Sequence, residues 1–212
     1  MDKENIRQIY EKFSGWYDLA EGGVELLGLS RLRRRLIRRA EGEVLEIAAG
    51  TGRNFPYYTP AVKLTAVDLS PSMLKIAEKK ASRLGLSASC RVMDAEALEF
   101  PDHSFDTVVT SLTLCTFPNN IKALHEMARV CRPGGKILLL EHGRSHASLL
   151  ARLQDWYAPS HYRQMGCQWN LEPLDIVRQS GLGISDFQSH FFGIFHIIIA
   201  YPTGLKTPHS TS

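Results

Sequence analysis

The sequence VLEIAAGTGRNF, residues 44–55, decides the fold class of this chain. A short apolar run ends there in a loop of small residues with a Gly-x-Gly pattern at Gly50. Eighteen residues after Gly50, Asp68 closes a second apolar run over residues 62–67. In an open α/β sheet, a strand, a glycine turn and an acid at the end of the next strand hold a nucleoside. The glycines let the backbone approach the ligand, and the acid accepts hydrogen bonds from the ribose.

The glycine loop differs from the dinucleotide-binding fingerprint G-x-G-x-x-G, which has a third glycine. Asn54 and Phe55 follow Gly52 instead, and this bulky exit is a poor cradle for a pyrophosphate, which favours a bare helix N-terminus. A nicotinamide-dependent oxidoreductase is therefore disfavoured. Glu46, just before the loop, is placed to hold a cationic amino group. S-adenosylmethionine has that amino group and a ribose but no phosphate, so the loop favours it as the ligand.

Length and composition indicate one globular domain. The chain has 212 residues, of which 44% are hydrophobic and 22% charged, an ordinary balance for a protein with a sizeable core. The formal net charge of +3 is too small to indicate a nucleic-acid partner. The N-terminus lacks the apolar segment of a signal peptide, and no apolar run reaches the ~20 residues that span a bilayer. We therefore expect a cytoplasmic protein.

The four cysteines stand at scattered positions without a C-x-x-C pair: Cys90, Cys115, Cys131 and Cys167. This pattern argues against a zinc site and against a disulfide framework, and it fits reduced thiols in a cytosol. The sequence therefore predicts no metal. Cys115 has apolar neighbours and is predicted to be a small core residue rather than a nucleophile.

Strands alternate with helices from residue 43 onwards. Apolar runs predict strands at 44–47, 62–67, 88–92, 105–111 and 136–141, with helices at 71–84 and 119–130 between them. Ser70 is placed as the N-cap of the first helix, and Gly85 follows its last turn. The alternation predicts an α/β fold, a Rossmann-like, doubly wound, mostly parallel seven-stranded sheet with an antiparallel C-terminal hairpin strand. The carboxyl ends of its strands line the edge where ligands bind.

The terminal segments are less regular. Helical patterns cover residues 6–13, 24–40, 148–157 and 174–180, residues 158–170 have the composition of a substrate-facing loop or short helix, and apolar runs at 187–192 and 194–201 predict a buried hairpin. We predict a single domain over residues 1–202. It comprises a helical lid (1–42), a cofactor-binding core (43–142) and a substrate-side segment with the last hairpin (143–202). The polar tail, residues 203–212, is predicted to be disordered.

Arginines cover the faces of the predicted helix 24–40 that lie away from its leucines: Arg31, Arg34, Arg35, Arg38 and Arg39. One interpretation is an ordinary solvated face. The alternative is a basic amphipathic helix that contacts anionic lipid headgroups or an acidic substrate. In that case Arg31, Arg34, Arg35 and Arg38 give the protein a peripheral contact with an anionic membrane.

Further motifs follow in the order expected for a nucleoside site: Asp94-Ala95-Glu96, Asp106, and Arg132-Pro133-Gly134-Gly135-Lys136. With them, residues 10–141 resemble the class I S-adenosylmethionine-dependent methyltransferases of the ubiquinone/menaquinone-biosynthesis type. The resemblance rests on Tyr10, Tyr17-Asp18, Glu46-x-Ala48-x-Gly50-x-Gly52, Asp68-x-Ser70-x-x-Met73-Leu74, Asp94-Ala95 and the Arg-Pro-Gly-Gly turn. Ala48 stands where the family has its first glycine. We expect the turn to accept alanine if the φ angle there is negative.

Weaker similarities bear on the substrate class. Within the superfamily the chain most resembles methyltransferase-like thiol methyltransferases and membrane-associated or phospholipid methyltransferases, on the motifs GTGRNFxYY from Gly50, Leu112-x-Leu114-Cys115, Glu141-His142 and Gly166-Cys167-x-x-Asn170-Leu171. This implies methyl transfer to a small or amphiphilic acceptor: a thiol, a phospholipid amine or a quinol precursor. The alternative is a non-catalytic S-adenosylmethionine-binding or assembly protein on the same fold.

The resemblance also implies individual roles in the cofactor site. Asp68 should contact the ribose and Asp94 the adenine amino group, while Leu69 and Ala95 cover the adenine faces. Other members of the set should lie along the methionine part and the transferring methyl group. The complete predicted set is Tyr10, Tyr17, Glu46, Ala48, Gly50, Gly52, Asn54, Asp68, Leu69, Met73, Asp94, Ala95, Ser111 and Leu112.

Three residues are predicted near the chemistry: Glu141, His142 and Tyr17. Glu141 and His142 end the fifth predicted strand, where they serve either as a general base or in a structural hydrogen bond, and a histidine is suited to accept a proton at neutral pH. Tyr17 either closes over the cofactor or packs in the core. A thiol acceptor can ionise beside a sulfonium without help, so a dedicated base is not required.

The predicted acceptor pocket lies in the segment after residue 157. Polar and aromatic side chains are concentrated there, although a plain surface loop is the alternative reading. The residues are His161, Tyr162, Gln168, Trp169 and Asn170.

Overall fold

One seven-stranded sheet forms the centre of the computed structural model, which describes residues 1–20 and 28–204, with the backbone alone for residues 16–20. The strands are β1 (Glu43–Ile47), β2 (Lys63–Asp68), β3 (Ala88–Val92), β4 (Phe105–Ser111), β5 (Cys131–His142), β6 (Gly183–His190) and β7 (Phe195–Tyr201). They lie in the order β3-β2-β1-β4-β5-β7-β6. Strands β1 to β5 pair in parallel, and β7 is antiparallel to both neighbours. The predicted sheet is confirmed.

The helices of the described residues cover both faces of this sheet. They are α1 (Lys3–Ala20), α2 (Ser30–Ile37), α3 (Pro71–Leu84), α4 (Asn120–Val130), α5 (Ser148–Met165) and α6 (Pro173–Gln179), with a short 3-10 turn at Phe55–Tyr57. Within the described ranges, no helix combines the length and the apolar character needed to cross a bilayer.

The sheet separates two apolar cores, because successive side chains of a strand point to opposite faces. In β1, Leu45 packs in the core under α4 and α6, whereas Val44 packs in the core under α2 and α3. Both residues are fully buried. The continuous apolar runs that predicted the strands therefore follow from burial on both faces.

Helix α3 has the predicted bounds and the predicted caps. The Ser70 hydroxyl accepts a hydrogen bond from the Met73 amide at 3.2 Å, and Pro71 lies in the first turn. Gly85 ends the helix in the left-handed region, at φ 63°. These local signals could be read from sequence because each cap depends only on residues close by along the chain.

The N-terminal helices differ from the prediction. Helix α1 spans Lys3–Ala20 rather than residues 6–13, and its polar contacts, through Lys3 and Glu11, are not indicated by apolar periodicity. Helix α2 begins only at Ser30, and the part of the predicted helix over residues 24–27 lies outside the described residues. The helix ends at Ile37, three residues before the predicted end, and the amides of Arg39 and Ala40 donate to carbonyls three residues earlier in a turn.

The C-terminal half needs three corrections. Helix α5 continues through Pro159 to Met165, so most of the segment 158–170, predicted as a loop or a short helix, is the end of one long helix. Strand β5 begins at Cys131 rather than residue 136, since the Arg-Pro-Gly-Gly turn is a register irregularity within the β4–β5 pairing. Strand β6 starts earlier than predicted, and residues 191–194 form the turn to β7. Most of the predicted tail, residues 205–212, lies outside the described residues.

Candidate active site

The glycine loop leaves the carboxyl end of β1 in the predicted place but with one unexpected dihedral angle. Ala48 has a φ of 51°, against the expectation that alanine would keep a negative φ here. A left-handed alanine costs roughly 1–2 kcal/mol, because its Cβ approaches the following carbonyl oxygen. Gly52 has a φ of 72°, and a Cβ there would lie 2.7 Å from the ring of Phe55. The loop therefore has glycine at position 52, where a side chain would clash with Phe55, and tolerates backbone strain at Ala48.

Asp68, at the end of β2, joins two loops through its carboxylate. Oδ2 accepts the Gly50 amide at 2.8 Å, and Oδ1 accepts the Ser70 amide at 2.8 Å. Burial raises the pKa of Asp68, while these backbone hydrogen bonds oppose the rise. Each carboxylate oxygen has a further lone pair, so the side chain can hold the glycine loop and still accept hydrogen bonds from a ligand.

Glu46 is buried at the base of the loop in a hydrogen-bond network. The Tyr58 hydroxyl donates to Oε2 at 2.8 Å, and Asn54 Nδ2 donates to Oε1 at 3.0 Å. Asn54 Nδ2 is also 3.0 Å from Ser111 Oγ, which links β1 to the end of β4. Burial raises the pKa of Glu46 to about 7, although the hydrogen bonds from Tyr58 and Asn54 oppose this.

Arg33 belongs to this network and was missed by the sequence analysis. It is 5% exposed, and its Nη1 donates to Asn54 Oδ1 at 3.0 Å. Its charge is one of the factors that lower the pKa of Glu46. The signal was available in the sequence, since Arg33 follows Leu29 by four residues and so lies on the apolar face of α2.

Helix α1 lies along the cleft through ionic contacts. Lys3 Nζ is 2.7 Å from Asp94 Oδ2 and 2.8 Å from Glu96 Oε2. The Ser70 hydroxyl donates to Glu11 Oε1 at 3.0 Å. Lys3 was not predicted, because an isolated lysine near the start of a chain gives no periodic signal.

Nearly all of the predicted cofactor-binding residues line one cleft at the carboxyl edge of the sheet. Gly52 is absent from its walls and packs against Phe55 instead. Tyr17 lies on α1, but its side chain is outside the described part of the structure. The predicted residues on the walls are Tyr10, Glu46, Ala48, Gly50, Asn54, Asp68, Leu69, Met73, Asp94, Ala95, Ser111 and Leu112.

A second cavity, of about 450 Å³, adjoins this cleft and has mainly apolar walls. Tyr10 and Leu112 line both spaces. Leu112 has a φ of 59°, a strained conformation for leucine, and its amide donates to the Leu140 carbonyl at 2.7 Å. The strained residue therefore stands at the junction of the cleft and the cavity.

Two of the five predicted acceptor-pocket residues line the second cavity. The rings of His161 and Trp169 lie 4.4 Å apart there. Tyr162 instead accepts a hydrogen bond from the N-terminal amine, and Asn170 donates to Asp155. Gln168 is absent from the wall, and its backbone amide donates to the Cys115 carbonyl in the loop after β4. Many of the wall residues that were not predicted come from the first part of α5, residues 150–157, which was predicted as a helix without a role in the pocket.

Glu141 is held by the loop after β4 rather than exposed on either cavity wall. Its Oε2 accepts the amides of Thr113 at 2.9 Å and Leu114 at 3.2 Å. Burial raises the pKa of Glu141 to about 8, and these amides oppose the rise. Its Oε1 has no hydrogen-bond partner among the described residues. These contacts favour the structural alternative for Glu141.

His142 lines the second cavity and meets two cysteines there. Its Nε2 is 3.1 Å from Cys115 Sγ and 3.2 Å from Cys167 Sγ, and the two sulfurs are 3.2 Å apart. Both cysteines are buried. The scattered cysteine positions gave no indication that two of them would meet beside a histidine.

The core of the chain matches a family model described as a methyltransferase domain over residues 45–139. The chain is also 35% identical, over 199 residues, to the phosphatidylethanolamine N-methyltransferase of Cereibacter sphaeroides, covering 88% of this chain and 97% of that protein. It belongs to the class I S-adenosylmethionine-dependent methyltransferases. The methyltransferase therefore uses S-adenosylmethionine as its methyl donor, as the glycine loop and Asp68 predicted.

Two further similarities agree with this assignment. The ubiquinone/menaquinone biosynthesis C-methyltransferase UbiE of Pseudomonas paraeruginosa is 32% identical over 176 residues, covering 77% of the methyltransferase and 68% of UbiE. The structure of an S-adenosylmethionine-dependent methyltransferase from Thermotoga maritima superposes with a TM-score of 0.73 at 21% identity, covering 93% of this methyltransferase and 100% of that chain. At that identity the structural likeness shows the fold alone.

Replacing Ala48 by glycine should stabilise the methyltransferase. Glycine removes the Cβ that is strained at φ 51°, although it adds backbone entropy to the unfolded chain. We expect the free energy of unfolding to rise by about 0.5–1 kcal/mol, measured by urea denaturation. The matched control is Ala49→Gly, because Ala49 is buried at negative φ and should lose stability. Equal effects of the two substitutions would show that Ala48 is not strained.

Glu46 should make stability depend on pH. Its folded pKa, about 7, exceeds its ordinary value of 4.5, so the folded state holds the proton more tightly. The free energy of unfolding therefore falls as pH rises from the ordinary pKa of 4.5 to the folded pKa of about 7. The total loss is at most roughly 3 kcal/mol, and stability no longer changes with Glu46 above that range. Glu46→Gln should flatten this part of the stability profile in chemical denaturation between pH 5 and pH 8. Glu43→Gln, at the half-exposed start of β1, should retain the wild-type profile, and a wild-type slope in Glu46→Gln would refute the assignment.

Proposed function

We propose that this methyltransferase transfers the methyl group of S-adenosylmethionine to an amphiphilic acceptor that it takes up at a membrane surface. The observation that carries the proposal is the apolar cavity that meets the cofactor cleft at Tyr10 and Leu112. The transferring methyl group would lie at this junction, so an acceptor in the cavity can present its nucleophile while its apolar part remains buried.

The cleft fits S-adenosylmethionine by the character of its polar groups. Asp68 retains acceptor lone pairs for the ribose hydroxyls beside the Gly50 loop. Asp94, at the far side of the cleft, is proposed to accept the adenine amino group, with Leu69 and Ala95 against the ring faces. Glu46 lies at the other end of the cleft, where the ammonium of the methionine part would favour its ionised form.

The residues near the junction of the cleft and the cavity orient the acceptor and do not activate it chemically. When bound, S-adenosylmethionine supplies an electrophilic methyl group on a sulfonium. Leu112 is fixed by its hydrogen bond to Leu140 and by its strained backbone, so it can set the position of the acceptor. The apolar walls exclude water from the transfer path, and positioning can supply most of the rate enhancement. Glu141 contributes by holding the loop that carries Leu112.

Exposed apolar side chains of α5, two of which line the cavity, and of the β6–β7 turn form what we call the apolar rim: Leu149, Leu153, Trp156, Phe191 and Phe192. Trp156 is 79% exposed and Phe192 75% exposed. The two parts of the rim are joined, because the His146 amide, just before α5, donates to the Phe192 carbonyl at 2.7 Å. A contiguous exposed apolar patch of this kind marks an interaction surface.

The arginines of α2 adjoin the apolar rim. The ring of Phe191 packs against the backbone of Gly28, just before the helix. Arg39 is paired with Asp186 at 3.1 Å, but the four predicted membrane-contact arginines are solvent-exposed: Arg31, Arg34, Arg35 and Arg38. Apolar side chains flanked by arginines suit an anionic bilayer surface, where the former insert and the latter face headgroups. We therefore propose a lipid bilayer as the partner of the rim.

The two curated relatives agree with an amphiphilic acceptor. One is named for phosphatidylethanolamine and the other for ubiquinone and menaquinone biosynthesis. A phospholipid and a polyprenylated quinone share a long apolar part and a polar reactive group. The cavity supports that shared character without selecting among a thiol, a phospholipid amine and a quinol precursor.

Asp68→Asn should weaken cofactor binding and methyl transfer together. Asparagine keeps one acceptor oxygen but loses the charge, and each hydrogen bond to a charged group contributes roughly 1.5–3 kcal/mol. We expect affinity for S-adenosylmethionine to fall by about ten- to a hundredfold in calorimetry. Radiolabelled methyl transfer to a panel of long-chain thiols, phospholipid amines and quinols should fall in parallel.

The matched control is Asp102→Asn, which changes an exposed carboxylate paired with Arg129 on the loop before β4. It should leave binding and transfer unchanged. Wild-type affinity in Asp68→Asn would show that the ribose lies elsewhere. If the wild-type protein methylated only short, water-soluble acceptors, that result would contradict the proposed amphiphilic substrate.

The double substitution Leu149→Glu with Phe192→Glu should abolish association with vesicles of phosphatidylcholine and phosphatidylglycerol. Both side chains are exposed and neither lines the cavity, so the cleft should keep its cofactor affinity. Leu84→Glu, at an exposed leucine of α3, is the control and should sediment with vesicles as the wild type does. Added salt should weaken wild-type association by screening the arginines. If the double variant bound vesicles as well as the wild type does, the apolar rim would not be the membrane-binding surface.

A further inference from the structure

Cys115, His142 and Cys167 bring three metal-ligating atoms together beside the second cavity. Two thiols and an imidazole nitrogen lie at the corners of a triangle with sides of 3.1, 3.2 and 3.2 Å. We propose that these residues form a zinc site whose fourth coordination position faces the acceptor cavity.

The donor set and its spacing suit zinc. Two thiolates and one neutral imidazole form a set used by catalytic zinc sites, which leave the fourth position open. At Zn–S and Zn–N distances of about 2.3 and 2.0–2.1 Å, the sulfur and nitrogen ligands of a tetrahedral site lie about 3.5–3.8 Å apart. The three atoms would therefore have to separate by only about half an ångström. A divalent ion with two thiolates is formally neutral, which lowers the cost of burying it.

The backbone around the three ligands is fixed by hydrogen bonds. Cys115 lies in the loop that Glu141 holds through the amides of Thr113 and Leu114. The Gln168 amide donates to the Cys115 carbonyl at 3.0 Å, which ties the segment after α5 to that loop. Such support is what a preorganised metal site requires.

The fourth coordination position would face the cavity because the three ligands differ in where they lie relative to its wall. Cys115 is 4% exposed and is not on the cavity wall, whereas His142 and Cys167 both line it. An ion bound by all three therefore has protein behind it on the Cys115 side and the cavity in front. An open position there would bind a soft donor, and a thiol would coordinate as the thiolate, releasing its proton to solvent. This consequence for the acceptor rests on the proposed function, but the metal site does not.

Metal content tests the site directly. Wild-type protein purified without chelator should hold about one zinc per chain, and X-ray absorption should show two sulfur ligands and one nitrogen ligand from the protein. Cys167→Ser and His142→Gln should each lose most of the zinc. Cys90→Ser and Cys131→Ser change the remaining cysteines and should keep it. Circular dichroism checks that every variant is folded, and the wild-type stoichiometry stands without any variant.

The open position can be tested with cobalt in place of zinc. Addition of an alkyl thiol to the cobalt protein should shift its visible absorption, and the shift should saturate; no shift would overturn the open position. Wild-type protein that binds no zinc above the His142→Gln variant would overturn the site, as would a Cys115–Cys167 disulfide detected by mass spectrometry in freshly purified protein. Retained zinc with failure of methyl transfer would refute the proposed function and leave the metal site standing.

Discussion

The carboxylate of Asp68 is the constraint on which the cofactor cleft depends. It accepts one amide from the glycine loop after β1 and one from the start of the turn into α3, so two loops from neighbouring strands are held by a single side chain. Because it is half-buried at the edge of the sheet, water competes less with these hydrogen bonds than at the open surface. The same side chain still has lone pairs directed at the cleft, so the loop conformation and ligand recognition are linked through one residue.

Glu141, near the end of β5, holds the loop after β4 as Asp68 holds the glycine loop after β1. Its carboxylate holds two amides of the loop after β4, and this loop carries both Leu112 at the junction of the cavities and Cys115 beside His142. We therefore propose that Glu141, predicted as a candidate base or a structural residue, acts on the site through the backbone. Because Glu141 is buried and absent from the walls of the cleft and the cavity, it cannot reach a proton on the substrate, but it can anchor a strained loop.

The surface around the second cavity connects these details with the acceptor. Leu153 and Trp156 of α5 are exposed and line this cavity, and Phe191 of the β6–β7 turn packs against Gly28, just before the arginine-bearing α2. Family membership establishes the methyl donor and the reaction class, whereas the substrate depends on these C-terminal elements. An apolar cavity that opens on an apolar rim suits a molecule that leaves a bilayer only partly.

The sequence by itself determined the sheet, the cofactor loop, the acid after β2 and the caps of α3, because each is encoded by residues close along the chain. It could not reveal that Ala48 is left-handed, since that dihedral angle is imposed by the packing of the loop. Only the tertiary structure brought Arg33 to Glu46, Lys3 to Asp94, and Cys115 to His142 and Cys167. These pairs are distant in sequence, and their contacts arise where the carboxyl ends of parallel strands and the covering helices meet.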